Sequence, residues 1–377
     1  MGRLWVGLLL AAAVWGLAAA FVPAARQNLV FFGTSADRFC DYRFPRECAA
    51  AKKSAYRPET IRRHDACYPP LGYALVAALP RDRVRGGMLF AGLSLAVLTA
   101  AVFLSASGGI VDRAGWSVAS AFLSQSLLAL GVANQIVLAA SGVCLFFAWN
   151  RREGWRRSLA LLALALSAAL KVSPALFALL LVRDRRWRDL AFFATAAGVL
   201  ALMPFTWFGG WLGMADFLEN LRLHAQEYVV MDAWGFIAVG RALALAAGSS
   251  LDVFRQVCGP FRLVNVMLGV VAVMLFFRNG KPAARWASDE LLLALVVTLL
   301  PGCQQGYTAL YFLPAMLALT VKRLTVAHLL FFALFCPVQV PIGNFTANHL
   351  IAAVAALALC FPRLEFRSIG QREGDRA

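Results

Sequence analysis

An all-α, polytopic transmembrane protein is what this sequence predicts, and three observations predict it. Of 377 residues, 61% are hydrophobic and only 15% are charged, whereas a soluble domain carries about a quarter charged residues. Apolar runs long enough to cross ~30 Å of hydrocarbon recur from Leu4 to Phe361, separated by short polar breaks. Those runs do not alternate with polar residues, so they are helices rather than barrel strands, because in lipid each segment must pair its own backbone N–H and C=O groups.

Loop charge sets the order of the elements. Arginines gather in short breaks, at Arg81–Arg85, Arg151–Arg157, Arg183–Arg188, Arg278–Arg285 and Lys322–Arg323, as cytoplasmic loops do under the positive-inside rule. The net charge of +16 is therefore an anchoring device, and no nucleic-acid partner is expected. With the N-terminus inside, Leu4–Val22 exits. Its small residues Ala18–Ala20 resemble a signal-peptide end, but the run is long enough to span, and an uncleaved first helix is expected. Residues 23–67 form a first outer loop. Tyr68–Leu79 enters and Gly86–Leu104 exits. Gly115–Val132 lies along or dips into the outer interface, so that Gln135–Trp149 ends at the inner arginines.

Leu159–Val182 has arginine clusters on both flanks. The spacing predicts a tight helical hairpin bent at Lys171-Val172-Ser173-Pro174, where proline disfavours helix in the residue before it; one tilted span is the alternative. Leu190–Phe205 then exits, and residues 206–260 form a second outer segment with Trp234–Ala247 along the surface. Phe261–Phe277, Leu291–Leu300, Tyr307–Thr320, Leu324–Val340 and His349–Phe361 alternate in direction, leaving the tail 363–377 inside. The sum is a single membrane domain over 1–377 with about twelve crossings plus interfacial helices in the outer loops, a multi-pass protein of the cell membrane.

Eight cysteines are scattered without a CxxC pair, so no metal site is expected. Cys40, Cys48 and Cys67 share the first loop and are near enough in sequence to pair if that loop faces an oxidising space.

The polar groups collect on the outer side. In the first loop Asp37, Asp41 and Tyr68 sit where an acid meets a lipid-borne substrate at headgroup level and serves as general base towards an acceptor hydroxyl; pairing with Arg38 or Arg43 is the bland use of such an acid. Lys171 is an ionisable residue in an apolar stretch, suited to a lipid phosphate or to snorkelling at the interface. Arg241 is placed to neutralise phosphate or to anchor. Asn134 and Gln135 sit at the outer surface, and His349 and Asn344 lie in the last outer loop. His224 and Glu227 share a helical face but have no third ligand at matching spacing. No phosphate-binding glycine loop, HExxH or GxSxG is present, which disfavours an ATP-driven pump.

Four features in succession resemble the multi-spanning C-type glycosyltransferases, in particular glycosyltransferase family 87, the polyprenyl-phosphate-mannose-dependent mannosyltransferases. They are the acid of Asp37 to Tyr42 followed by Ala55-Tyr56, the Tyr68-Pro69-Pro70-Leu71 opening of the second helix, Gly131-Val132-Ala133-Asn134-Gln135 leading a helix, and Ala168–Pro174 closing on the basic, tryptophan-bearing break Arg183–Arg188. The resemblance implies inverting transfer of a hexose such as mannose from a polyprenyl-phosphate donor to a lipid or glycan acceptor at the outer face, with no cofactor. It further implies Asp37 as catalytic base and Lys171 as donor-phosphate contact; Asp41, Tyr68, Asn134, Gln135, Arg241 and His349 are the other candidate substrate-binding residues. The alternative from another class is a transporter or lipid flippase, which calls for two related halves; the sequence has no such repeat.

Overall fold

A computed structural model gives the arrangement of the chain. It describes residues 4–21, 38–52, 55–57, 67–227, 240, 243, 251–278, 289–301, 306–318, 335, 341–342 and 345–346. The helices are α1 (Leu4–Phe21), α2 (Cys40–Ala51), α3 (Pro70–Ala77), α4 (Arg83–Ser105), α5 (Ile110–Ala121), α6 (Ser124–Val132), α7 (Ile136–Trp149) and α8 (Trp155–Leu170). A 3-10 segment, Ser173–Ala178, leads into α9 (Leu179–Arg183) and α10 (Trp187–Leu202), which ends in the 3-10 turn Met203–Thr206. Then follow α11 (Gly210–Glu227), α12 (Leu251–Arg278), α13 (Asp289–Leu299), a 3-10 segment Gly306–Phe312 and α14 (Leu313–Ala318). Two two-residue strands, Pro341–Ile342 and Phe345–Thr346, pair antiparallel.

The fold is helical, as expected. Three helices are long and apolar enough to cross a membrane, Arg83–Ser105, Trp187–Thr206 and Cys258–Arg278; the α5–α6 pair, bent by 52°, makes a fourth if it is one span. Other apolar helices, Ile136–Trp149 among them, are shorter, so the described residues do not reach the twelve crossings expected. Buried and outward faces suit a bilayer. Helix α13 is buried from Leu291 to Leu299, the mark of a central helix that is apolar all round. Leu89, Leu93 and Val97 of α4 and Met267 and Met274 of α12 stay exposed.

Contacts sort the helix ends into two groups. At one end the Phe39 N–H donates to the Gly131 carbonyl at 2.9 Å. The Phe39 ring occupies the space a Cβ on Gly87 would need, and Tyr42 does the same at Gly86. The two glycines at the start of α4 thus let α2 seat directly on that helix. The Asn220 amide of α11 donates to the Tyr56 carbonyl at 2.8 Å, which brings the two outer segments expected from sequence to this same end. At the opposite end Arg157 and Arg186 share the Asp189 carboxylate, with the Arg157 and Arg186 Nε atoms at 3.0 and 2.7 Å from Oδ2. Arg186 also donates to the Asn150 side chain at 3.0 Å. Arg183 grips Asp289 through two bonds of 2.6 and 2.9 Å.

The expected hairpin is present. Helix α8 stops at Leu170, Lys171 is extended (φ −143°, ψ 121°), and Pro174 opens the 3-10 return. Because Arg157 lies in the first turn of α8, Arg183 ends the return arm and Arg186 follows it, both arms reach the arginine end while Lys171 occupies the tip. Helix α8 packs closely on α7. The Ser167 hydroxyl lies 2.8 Å from the Ala139 carbonyl of α7, and any Cβ on Gly142 would run into Ser167 and the Ala163 backbone. Small residues at such a crossing bring two helix backbones together where no water drives association.

Two expectations are corrected. Tyr68–Leu79 is not a crossing: α3 has eight residues, about 12 Å at 1.5 Å per residue. The Arg81–Arg85 run is therefore not at the arginine end but beside α2. There Arg83 Nε donates to the Arg38 carbonyl at 2.7 Å, the Tyr42 hydroxyl donates to the Pro80 carbonyl at 2.5 Å, and Asp82 caps α4 by accepting from the Arg85 N–H at 2.7 Å. The basic run is a docked helix start, and charge counting reads it as a cytoplasmic loop. The second correction is Gly115–Val132, expected to lie along the outer interface or dip into it from that side. Helix α5 instead packs back along α4, with the Ser117 hydroxyl 2.7 Å from the Thr99 carbonyl. Helix α6 then carries the chain to Phe39. The two errors offset, so α7 still starts at the end where it was placed. Trp234–Ala247 (apart from residues 240 and 243), Leu324–Val340 (apart from residue 335), His349–Phe361 and the tail fall outside the described residues.

Candidate active site

Two residues in the left-handed backbone region set the site. Phe39 (φ 56°) precedes α2, and Ala133 (φ 58°) follows α6. Alanine in this region is uncommon, and such strain persists only where its surroundings enforce it. Here the Ala133 and Asn134 N–H groups close the end of α6 on the Leu130 and Ala129 carbonyls, at 3.1 and 2.8 Å. The turn delivers Asn134 to the start of α7, and the turn at Phe39 delivers Asp41 opposite it.

Asn134 is fully buried, and its amide has one orientation available. Its Oδ1 accepts from the Ile136 N–H at 2.9 Å, in the manner of a helix cap. Nδ2 is left to donate, and it does so to Asp41 Oδ2 at 2.6 Å and to the Tyr68 hydroxyl at 3.2 Å. Tyr68 is held in turn by its backbone, whose carbonyl accepts from the Tyr56 hydroxyl at 3.0 Å. The Lys171 ammonium sits over the Tyr68 ring, 4.5 Å from its centroid, a cation–π contact at the tip of the hairpin.

Burial is the main influence on Asp41 and pushes its carboxyl above the usual carboxylate range. The Asn134 bond, the Lys171 charge, the Tyr68 hydroxyl and the Cys40 thiol pull it back in part. A carboxylate with a raised pKa, held by the Asn134 amide and near a cation, has the features of a general base.

Of the residues singled out from sequence, Asp41, Tyr68, Asn134 and Lys171 meet in this one cluster. Gln135 adjoins it: its amide is buried, any Cβ on Gly72 would collide with it, and neither its oxygen nor its nitrogen has a hydrogen-bond partner among the described residues. Asp37, Arg241 and His349 lie outside the described residues. Cys40, Cys48 and Cys67 are not joined in disulfides. No group of three His, Cys, Asp or Glu side chains fit for a metal occurs among the described residues. Sequence reasoning did not single out Tyr56 for the site; a hydroxyl bracing another residue's carbonyl has no signature in spacing.

A family model, glycosyltransferase family 87, matches residues 66–301 of the chain, more than half its length. Tyr68, Asn134, Gln135 and Lys171 fall inside the matched stretch and Asp41 precedes it. No curated protein and no solved structure matches the chain.

Proposed function

The chain belongs to glycosyltransferase family 87, and from that premise we propose that it transfers a hexose such as mannose from a polyprenyl-phosphate donor to a lipid- or glycan-linked acceptor at the non-cytoplasmic face of the cell membrane. Membership makes it a membrane glycosyltransferase; donor, acceptor, stereochemistry and sidedness are our reading. The observation that carries it is the convergence of a carboxylate and a cation, Asp41 and Lys171, on Asn134 and Tyr68.

The chemistry is a single displacement. The Asp41 carboxylate takes the proton of the acceptor hydroxyl as that oxygen attacks the anomeric carbon. The bond from that carbon to the phosphate oxygen breaks on the opposite face, which inverts the centre. The polyprenyl phosphate departs with the electron pair, and the Lys171 ammonium neutralises the charge that builds there. Gln135 has an amide free for a sugar hydroxyl. Asp37 held the role of base in the sequence reading; Asp41 takes it here because its surroundings favour proton exchange.

Purified protein in liposomes, given polyprenyl-phosphate mannose labelled in the sugar and a membrane lipid extract as acceptor source, tests the assignment. Asp41→Asn is expected to cut transfer by at least 1,000-fold, on the order of 4 kcal/mol of transition-state stabilisation. Wild-type transfer by Asp41→Asn with loss in Asp37→Asn would return the role to Asp37. Retention by both, or no donor turnover by the wild type, would overturn the reading.

A further inference from the structure

Helix α2 has a second functional face. Arg43, Arg46, Glu47 and Ala50 follow the i, i+3, i+4, i+7 spacing of one helical stripe. Asp41 projects about 170° away from the middle of that stripe. Together with Arg81 and Arg83 from the start of α4, the stripe lines a cavity of about 330 Å³, within the size range of small-ligand sites. Its charge is lopsided. Arg43 is matched by Glu47, Nε to Oε1 at 2.8 Å. Arg83 points to the Arg38 carbonyl. Asp82, between Arg81 and Arg83 in sequence, turns to its own helix to accept from the Arg85 N–H. Arg46 reaches the Tyr42 hydroxyl, yet its Nε is buried with no hydrogen-bond partner among the described residues. An unsatisfied donor beside a surplus of positive charge points to an absent acceptor. All four cations are arginines, whose planar forks match phosphate oxygens in pairs, as lysine does not.

We infer that this cavity between α2 and the start of α4 binds a phosphate-bearing group, separately from the Asp41–Lys171 cluster on the other side of α2. The phosphate comes either from an anionic lipid headgroup or from a free phosphate compound in the outer medium. Binding is read without turnover, so its failure and the failure of the transferase reading are distinguishable.

Full-length protein in neutral detergent is titrated by microscale thermophoresis with short-chain phosphatidylglycerol, short-chain phosphatidylcholine and inorganic phosphate. Saturable binding of phosphatidylglycerol, weakened about tenfold or more in Arg46→Gln and unmatched by phosphatidylcholine, supports a headgroup site. Saturable binding of inorganic phosphate with the same loss supports the free-phosphate source. Arg81→Gln removes an exposed cation of the same cavity at little risk to folding and is expected to weaken binding several-fold, so a misfolded Arg46 variant does not blunt the test. Binding of neither phosphate probe, or binding indifferent to both substitutions, overturns the inference.

Discussion

The Asn134 amide nitrogen donates to Asp41 Oδ2 at 2.6 Å across 93 positions of sequence. Because the Ile136 N–H claims the other end of the amide, Asn134 cannot turn to offer its oxygen. It fixes the carboxylate's position and lowers its proton affinity. Asn134→Ala is expected to reduce kcat/KM for sugar transfer by about 10- to 100-fold, in line with ~1.5–3 kcal/mol for a hydrogen bond to a charged group. The loss should fall mainly in kcat, because the bond acts on the base and not on donor affinity. A change confined to KM would assign Asn134 to substrate binding instead.

The pH profile reports the same carboxylate. Burial leads the influences on Asp41 and raises its pKa, so the acid limb of kcat/KM should lie above the ~3.9 of an ordinary aspartate. The base works ionised, and activity is lost as pH falls through the raised value. Lys171 and Asn134 both pull that value down, so Lys171→Gln and Asn134→Ala should each move the limb to higher pH. Lys171→Arg should leave it near wild type. Stability runs the other way: a raised carboxyl favours the fold while protonated, and that contribution is lost as pH rises through the folded pKa. At neutral pH, Asp41→Asn should therefore melt no lower than wild type while losing transfer. A melting point that falls by many degrees would show Asp41 to be structural.

How far was this legible in the sequence? The hairpin tip was, because a lysine and a proline interrupting an apolar run with arginines on both flanks leaves few ways to thread it. Asp41, Tyr68, Asn134 and Lys171 were legible as polar residues at one boundary. Their convergence was not, since it rests on left-handed turns at Phe39 and Ala133, residue types that do not advertise positive φ. The Arg81–Arg85 run was misplaced for a physical reason. Positive-inside counting sees charge and not partners, and here Arg83 is bound to the Arg38 carbonyl while Gly86 and Gly87 make room for Tyr42 and Phe39. Asp37 lies outside the described residues, and nothing in spacing separates two acids four residues apart, so the paired Asn variants decide between them.

At the arginine end, Asp289 is buried against the guanidinium of Arg183, which also lies 4.3 Å from the centroid of the Phe276 ring. One carboxylate thus ties α9, α12 and α13. Removing it leaves the half-buried Arg183 with only its neighbour Asp184, Nε to Oδ1 at 3.0 Å, and the loss of its charged hydrogen bonds costs about 1.5–3 kcal/mol. Asp289→Ala should lower the thermal unfolding midpoint in detergent by several degrees. Below that midpoint, KM for the donor and the pH profile should stay at wild-type values, because this pair sits at the arginine end and the cluster lies at the hairpin tip, at the opposite end of the helices. Unchanged melting would mean that the ion pair contributes no net stability.

The placement of Arg81 decides the sidedness of the whole arrangement. Arg81 and Ala50 are exposed and line one cavity, whereas Arg185 is exposed at the end held by Asp189 and Asp289. Single cysteines at these positions, treated with a membrane-impermeant maleimide in right-side-out vesicles, should separate two to one. Arg81→Cys and Ala50→Cys should take up label beyond the wild-type background, and Arg185→Cys should do so only in inverted vesicles. A cytoplasmic Arg81 would require α3 to cross in eight residues, about 12 Å against ~30 Å of hydrocarbon. It would also pull apart the contacts that seat α2 on α4. Labelling of Arg81→Cys from the same side as Arg185→Cys would therefore remove the geometry that brings Asp41 to Lys171.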